Sequence, residues 1–173
     1  INPSAQWLNN FPGKILVGDF NGDGLIDIGS YDQTLTQISV ALNNGSSFNP
    51  PKGWITNFNQ TQTLTIADCN GDGLSDICFY DKLTGQIYVA ASTGSQFLTP
   101  VVFLSGFTLK DPDVILQASD FNGDGTADFY VFNPFTQKTE IAYSPLSFTN
   151  LLIQEENGLG GGFSIKYDTS ANY

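Results

Sequence analysis

Three nine-residue stretches of this chain place oxygen-bearing side chains where a hard cation could use them. They read Asp19-Phe20-Asn21-Gly22-Asp23-Gly24-Leu25-Ile26-Asp27, Asp68-Cys69-Asn70-Gly71-Asp72-Gly73-Leu74-Ser75-Asp76 and Asp120-Phe121-Asn122-Gly123-Asp124-Gly125-Thr126-Ala127-Asp128. Counted from its first Asp, each follows D-x-N-G-D-G-x-x-D, with side-chain oxygens at positions 1, 3, 5 and 9 and a glycine at position 6 that permits a sharp turn. Calcium takes 6–8 oxygens in flexible geometry, and such a loop can add the backbone carbonyl of position 7 and water to its four side chains. The expected ligands are Asp19, Asn21, Asp23 and Asp27 with the carbonyl of Leu25; Asp68, Asn70, Asp72 and Asp76 with that of Leu74; and Asp120, Asn122, Asp124 and Asp128 with that of Thr126. Three carboxylates so close together repel unless a cation neutralises them, so the expectation is three Ca²⁺ sites.

An EF-hand loop has related spacing but requires a bidentate Glu at position 12 and a helix on either side. Position 12 is Ser30, Phe79 or Val131 here, inside runs such as Ile77-Cys78-Phe79-Tyr80 and Phe129-Tyr130-Val131-Phe132. Aromatic and β-branched runs of this kind favour strands, so a calcium loop joining two strands replaces the EF-hand. The simpler alternative is a hairpin turn that binds nothing, because Asn, Gly and Asp suit turns on conformational grounds alone. All four side chains occur in all three copies, which favours metal on the reasoning that turn geometry does not need a carboxylate at position 9.

The elements that position these loops repeat with them. The first Asp residues stand 49 and then 52 residues apart, the length of one four-stranded propeller blade. An apolar run precedes each loop (Ile15-Leu16-Val17, Leu64-Thr65-Ile66, Val114-Ile115-Leu116) and a second strand is expected after it, over 27–31, 76–80 and 128–132. After turns at 32–34, 81–85 and 133–136, a third strand alternates with period two: Ile38/Val40/Leu42, Ile87/Val89/Ala91 and Thr139/Ile141/Tyr143. Phe48, Phe97 and Phe148 follow at 29, 29 and 28 residues from the first ligand Asp. An outer strand then carries Trp54-Ile55-Thr56-Asn57-Phe58 or Phe103-Leu104-Ser105-Gly106-Phe107, and the same signature stands near the start as Trp7-Leu8-Asn9-Asn10-Phe11. These aromatics are expected to pack between blades. No helical period of useful length occurs, so the fold class is all-β, with three four-stranded blades of about 50 residues in a propeller completed by a larger chain or by an oligomer. The expected divisions are 1–13 (outer strand of a preceding blade), 14–58, 59–110 and 111–153 (one blade each), and 154–173 (a glycine-rich turn and a strand).

Composition excludes several functions. Six Lys, no Arg and 17 acidic residues give a net charge of −11, and nine of the acids belong to the three loops. Nucleic acid is excluded as a partner because phosphate binding needs a basic face. No apolar run approaches the roughly 20 residues that span a bilayer, and no signal peptide is present, so a targeting sequence has been removed or lies upstream. The two cysteines, Cys69 and Cys78, stand at positions 2 and 11 of the second repeat, where the others have Phe20/Gly29 and Phe121/Tyr130. They read as a disulfide or, by preference, as two small buried apolar residues.

The loops, their period and their strand pattern resemble FG-GAP/VCBS-type repeats, the calcium-binding propeller repeats of integrin α-subunits, over roughly residues 5–150. The resemblance implies that Asp19, Asn21, Asp23 and Asp27 and their counterparts are calcium ligands fixing the hairpin between strands 1 and 2. Three repeats and one further strand depart from the 4–8 blades with which propellers close. The tail Gln154-Glu155-Glu156-Asn157-Gly158-Leu159-Gly160-Gly161-Gly162-Phe163-Ser164-Ile165-Lys166-Tyr167 resembles the segment after the repeats in SpvB-like proteins and the B components of bacterial Tc toxins. That implies a piece of a larger secreted bacterial protein.

The reading that follows is a non-catalytic, calcium-stabilised scaffold or interaction module working in an extracellular or cell-surface setting, with a protein or glycan partner. It either associates with itself or packs against parent sequence, because terminal repeats need a cap and neither end offers one. A lectin is the alternative, since some FG-GAP-like propellers bind sugars between blades, with Trp7, Trp54 and Tyr31 as candidate platforms. An enzyme would have to be built without His or Arg, from carboxylates such as Asp32, Asp81, Glu140 or Asp168, and their spacing singles out no catalytic pair.

Overall fold

The computed structural model describes residues 11–58, 63–111, 113–145, 154–159 and 161–165. Among them no helix forms, and none therefore is long and apolar enough to cross a membrane. Strands β1 (Lys14–Gly18), β2 (Asp27–Asp32), β3 (Gln37–Ala41) and β4 (Lys52–Ile55) form one antiparallel sheet in chain order. A second sheet repeats it with β5 (Thr63–Ala67), β6 (Asp76–Asp81), β7 (Gln86–Ala90) and β8 (Val101–Ser105). The third contains β9 (Ile115–Ser119), β10 (Asp128–Asn133) and β11 (Lys138–Ala142). The all-β expectation and the propeller-like blades are thus observed, four-stranded in the first two repeats and with three described strands in the third. The expected strand around Trp7 and the stretch containing Phe148 lie outside the described residues.

The repetition extends to irregularities. In both four-stranded sheets the ladder between strands three and four slips at the same place, between Ile38 and Ser39 and between Ile87 and Tyr88. An isolated bridge, Asn43 to Phe48 or Ser92 to Phe97, then closes the connection that follows. The fourth strands stop at Ile55 and Ser105, short of Phe58 and Phe107. Those two rings lie beyond the sheet, where their amides donate to Thr36 O and Gly85 O of the turn between strands two and three.

The core lies between sheets. Leu16, Phe20, Ile38, Val40, Trp54 and Phe58 of the first pack against Leu64, Ile77, Phe79 and Phe97 of the second. Cys69, Cys78, Ile87, Val89 and Phe107 of the second in turn meet Val114, Leu116, Phe129 and Val131 of the third. The middle strands β2 and β6 are buried on both faces, and for that reason do not alternate between apolar and polar residues. Aromatic edges join the layers: Phe97 meets Phe20 edge-on with ring centroids 5.5 Å apart, and Phe58 meets Phe79 at 5.6 Å. Such pairs contribute about 0.5–1.5 kcal/mol beyond their buried area. The expectation that Trp54, Phe58, Phe97 and Phe107 are packing residues is observed.

The third repeat differs from the other two in burial: Thr139, Ile141 and Tyr143, which alternate as their counterparts do, are exposed. Their equivalents Val40 and Val89 are buried against the following sheet, whereas after β11 the described residues form only a two-stranded pair, with no further four-stranded sheet. The tail is not a turn leading into a single strand: β12 (Gln154–Glu156) pairs antiparallel with β13 (Gly162–Ser164). Asn157 holds the turn together, its side-chain oxygen accepting from Leu159 N and Gly161 N.

Candidate metal centre

Each D-x-N-G-D-G-x-x-D stretch joins the first and second strands of its sheet, and the three loops share one hydrogen-bond pattern. At position 1, Asp19 accepts from Gly22 N at 2.7 Å on one oxygen and from Gly24 N at 2.8 Å on the other. Asp68 does the same with Gly71 and Gly73, and Asp120 with Gly123 and Gly125. At position 3, the oxygen of Asn21, Asn70 or Asn122 accepts from the amide of position 5. At position 5, Asp23, Asp72 and Asp124 accept from the amide of position 7, that of Leu25, Leu74 or Thr126. Their other oxygen meets the Asn side-chain nitrogen at 2.9 Å in all three loops. These are Asx turns in series, in which side chains replace the cross-strand bonds that a sharp loop cannot make.

Glycine enables the turn at two positions. Position 6 (Gly24, Gly73, Gly125) has φ of 82°, 85° and 86°, and position 4 (Gly22, Gly71, Gly123) has 77°, 74° and 76°. Both lie in the left-handed region that costs an L-residue about 1–2 kcal/mol. The sequence reading identified position 6 and missed position 4. At Gly22 a side chain would also strike Leu74 of the neighbouring loop, since a Cβ there would lie 2.8 Å from its methyl.

Position 9 behaves differently from the rest. Asp27, Asp76 and Asp128 are fully buried. One oxygen of each accepts from the amide of position 2, that of Phe20, Cys69 or Phe121 at 3.0–3.1 Å. The other accepts, at 2.8 Å, from the amide just beyond the third strand, that of Asn43, Ser92 or Ser144. A carboxylate at this position therefore clamps the loop entrance to the end of the third strand through its own two hydrogen bonds. This corrects the premise that a turn has no need of it. Asn43, Ser92 and Ser144, absent from the sequence reading, stand 24 residues after the first Asp of their repeat.

Burial pushes Asp27 upward from the ordinary carboxylate range, with Asp23 and Asp19 adding repulsion, against the two backbone amides that pull it down. Asp76 is pushed up to about 7, again chiefly by burial, with repulsion from Asp72 and Asp68. At Asp124 burial acts upward but is outweighed by hydrogen bonds from Thr126 and Asn122, so the carboxyl lies below its usual value.

The donor set fits a hard cation in kind. Carboxylate oxygens each carry a second lone pair beyond the one given to an amide, so positions 1 and 5 keep acceptor capacity. The arrangement is nevertheless that of closed Asx turns. Among the described residues no group of three or more acidic or thiol side chains is arranged to hold a metal ion. The Asn nitrogen, not its oxygen, faces the carboxylate of position 5. An ion entering a loop would require that amide to turn.

The remaining candidates are used locally. Asp32 accepts from Thr34 N and Leu35 N, Asp81 from Leu83 N, and Glu140 from Thr108 N; Asp168 lies outside the described residues. Of the aromatic platforms, Trp54 and Tyr31 are buried and Trp7 lies outside the described residues.

Residues 19–79 match the family model described as FG-GAP-like repeat. No curated protein matches the chain. Among solved structures, a chain of the Photorhabdus luminescens Tc holotoxin pore shares the fold with a TM-score of 0.56 at 22% identity. The likeness covers 72% of this chain and 6% of that one, so the present chain spans a small fraction of the toxin chain's length.

Proposed function

We propose that this chain is a non-catalytic scaffold and protein-interaction module of a toxin-related protein, built from β-propeller-type blades and working in an extracellular setting where calcium fills its three loops. The observation that carries the reading is the threefold recurrence of one oxygen-rich loop, with one hydrogen-bond pattern, at one place in successive sheets. Chains that repeat a unit this closely build rigid arrays whose connecting loops recognise partners. The absence of His and Arg from the sequence and the local engagement of Asp32, Asp81 and Glu140 support the non-catalytic half.

A protein partner is supported by the end faces. Ile15 is 49% exposed, whereas Leu64 and Leu116 at the same repeat position are buried against the preceding sheet. Phe121 is 46% exposed, whereas Phe20 and Cys69 at its position are fully buried by the following sheet. The end faces thus have the chemistry of an inter-sheet contact and fit further blades, from the same polypeptide or another copy.

Calorimetric titration of the chelator-treated chain with Ca²⁺ tests the metal: three bound ions and a melting temperature raised by Ca²⁺ over EDTA are expected, with about 2.7 kcal/mol of stabilisation per site at a hundred times Kd. An identical melting curve in EDTA and in millimolar Ca²⁺, with no heat of binding, overturns the calcium reading. Sedimentation of the same samples reads association, and saturable binding of one sugar family on a glycan array would move the partner from protein to glycan.

A further inference from the structure

We propose that Cys69 and Cys78 are a disulfide site, closing a covalent link between the second loop and β6 when the chain folds in the presence of a disulfide oxidant. They are the only two cysteines in the chain. They occupy the pair of positions that the repeat itself brings together. In the first repeat the Phe20 ring lies over Gly29, 3.5 Å from where a Cβ would stand. In the third, Phe121 and Tyr130 hold the same positions with ring centroids 6.3 Å apart. In the second, Cys69 and Cys78 lie fully buried in one cluster where the second and third sheets meet. The neighbourhood of positions 2 and 11 is thus a product of the hairpin and not of the cysteines. The backbone on both sides is already fixed, Cys69 N by Asp76 and Cys78 by its pairing with Thr65 in the ladder.

Both cysteines are free and fully buried, among Ile87, Val89, Leu116 and Phe129 where the second and third sheets meet. A buried thiol meets no oxidant in the closed molecule, so the bond forms while the contact between the second and third sheets is open. The thiolate of one cysteine attacks a small-molecule disulfide, R–S–S–R, giving a mixed disulfide and releasing one R–S⁻. The second thiolate attacks the protein sulfur of that intermediate and expels the other R–S⁻. Two electrons pass from the protein thiols to the oxidant, and the two protons lost by the cysteines end on the two R–SH products. Closing a loop of about ten residues raises the folding equilibrium constant roughly 100-fold in the chain-entropy account. Such a bond persists in oxidising compartments and is absent from reducing ones.

The test is refolding of the full chain in glutathione buffers of graded ratio, followed by acid quench, denaturation, alkylation and intact mass. Expected is a monomer lighter by two hydrogens that takes no alkylating reagent until reduced, and that melts above its reduced form in both EDTA and Ca²⁺. Cys69→Ala and Cys78→Ala should each leave one alkylatable thiol and abolish the difference between oxidising and reducing buffer. The mass measurement on the unsubstituted chain stands even where a variant fails to fold. Two alkylatable thiols at every ratio overturn the proposal. So does protein trapped as glutathione adducts or as disulfide-linked dimers.

Discussion

Replacing Asp76 by Ala separates the two roles a carboxylate at position 9 can have. The substitution leaves two backbone donors, Cys69 N and Ser92 N, without the acceptors they reach at 3.1 and 2.8 Å inside a site with no solvent access. Each orphaned buried donor costs about 1–3 kcal/mol, so the pair costs about 2–6 kcal/mol. Removing the side chain also relieves the burial cost that pushes this carboxyl up to about 7. The net expectation is therefore the low end of that range, about 2–3 kcal/mol. Asp72→Ala is the control, because Asp72 is exposed and its partners Leu74 N and the Asn70 side chain lie where water can replace it. Its cost in chelator is expected within about 0.5 kcal/mol. Urea unfolding followed by the fluorescence of buried Trp54 reads both, in EDTA and again in Ca²⁺. The clamp argument requires a large Asp76 penalty in EDTA; a penalty below about 0.5 kcal/mol there refutes it, since orphaning two buried donors cannot be so cheap. If Asp72→Ala destabilises only in Ca²⁺, position 5 is a ligand and position 9 has a structural role besides.

Three further outcomes follow from the same geometry. Gly24→Ala should cost about 1–2 kcal/mol from its φ of 82° alone, with no atom within 4 Å of the added methyl, and Gly22→Ala should cost more because Leu74 must move; chemical unfolding of both orders them. Tyr80→Phe removes the bond from the buried hydroxyl to Leu109 O, at a cost of about 1–2 kcal/mol. Burial, then repulsion by Glu140 and Asp81, pushes this phenol up to about 12; a raised value favours the protonated fold, so its contribution is complete below about pH 10 and lost as pH rises through about 12, readable as alkaline unfolding monitored at the phenolate band. Phe20→Ala should cost about 3–5 kcal/mol and Phe121→Ala under about 1 kcal/mol in dilute solution, although both stand at position 2; equal costs would mean that the face around Phe121 is covered.

Most of the architecture was legible because it is written repeatedly. The spacing of Asp19, Asp68 and Asp120 placed the sheets, and the alternation of Ile38/Val40 and Ile87/Val89 identified a buried face. The same alternation at Ile141 and Tyr143 marks an exposed face, because periodicity reports which residues share a face and not whether a neighbour covers it. The loops were legible as oxygen-rich turns, but not the amides that would occupy those oxygens. Asn43, Ser92 and Ser144 serve through backbone N–H groups, which leave almost no mark on residue choice beyond a preference for small polar side chains. Their constant offset from the first Asp was the one available signal. Thr36, Gly85 and Gln137 hold positive φ at one shared turn position, and only Gly85 advertises it by residue type.

The clamp also changes what the three loops say about metal. If Asp27, Asp76 and Asp128 are required to fasten the loop entrance to the third strand, their recurrence is explained by folding, and the case for an ion rests on positions 1, 3 and 5. Of these, position 1 satisfies two amides of the turn and position 3 satisfies one, both tasks that Asp or Asn performs without an ion. Position 5 carries the surplus. One oxygen of Asp23 or Asp72 is used by a single amide and that of Asp124 by the amide and hydroxyl of Thr126, while the other oxygen meets the Asn side chain, a contact that a turn does not require. A second carboxylate beside the one at position 1, with its outer oxygen committed to a rotatable amide, is an arrangement that repulsion disfavours in isolation and a divalent cation would reward. Asp23→Asn and Asp72→Asn, which keep shape and remove charge, are consequently the most direct probe of calcium: each should remove one ion from the titration and leave the metal-free melting temperature unchanged or raised. Asp124→Asn, by contrast, should remove one ion and lower the metal-free melting temperature, because Thr126 and Asn122 hold that carboxylate in its charged form.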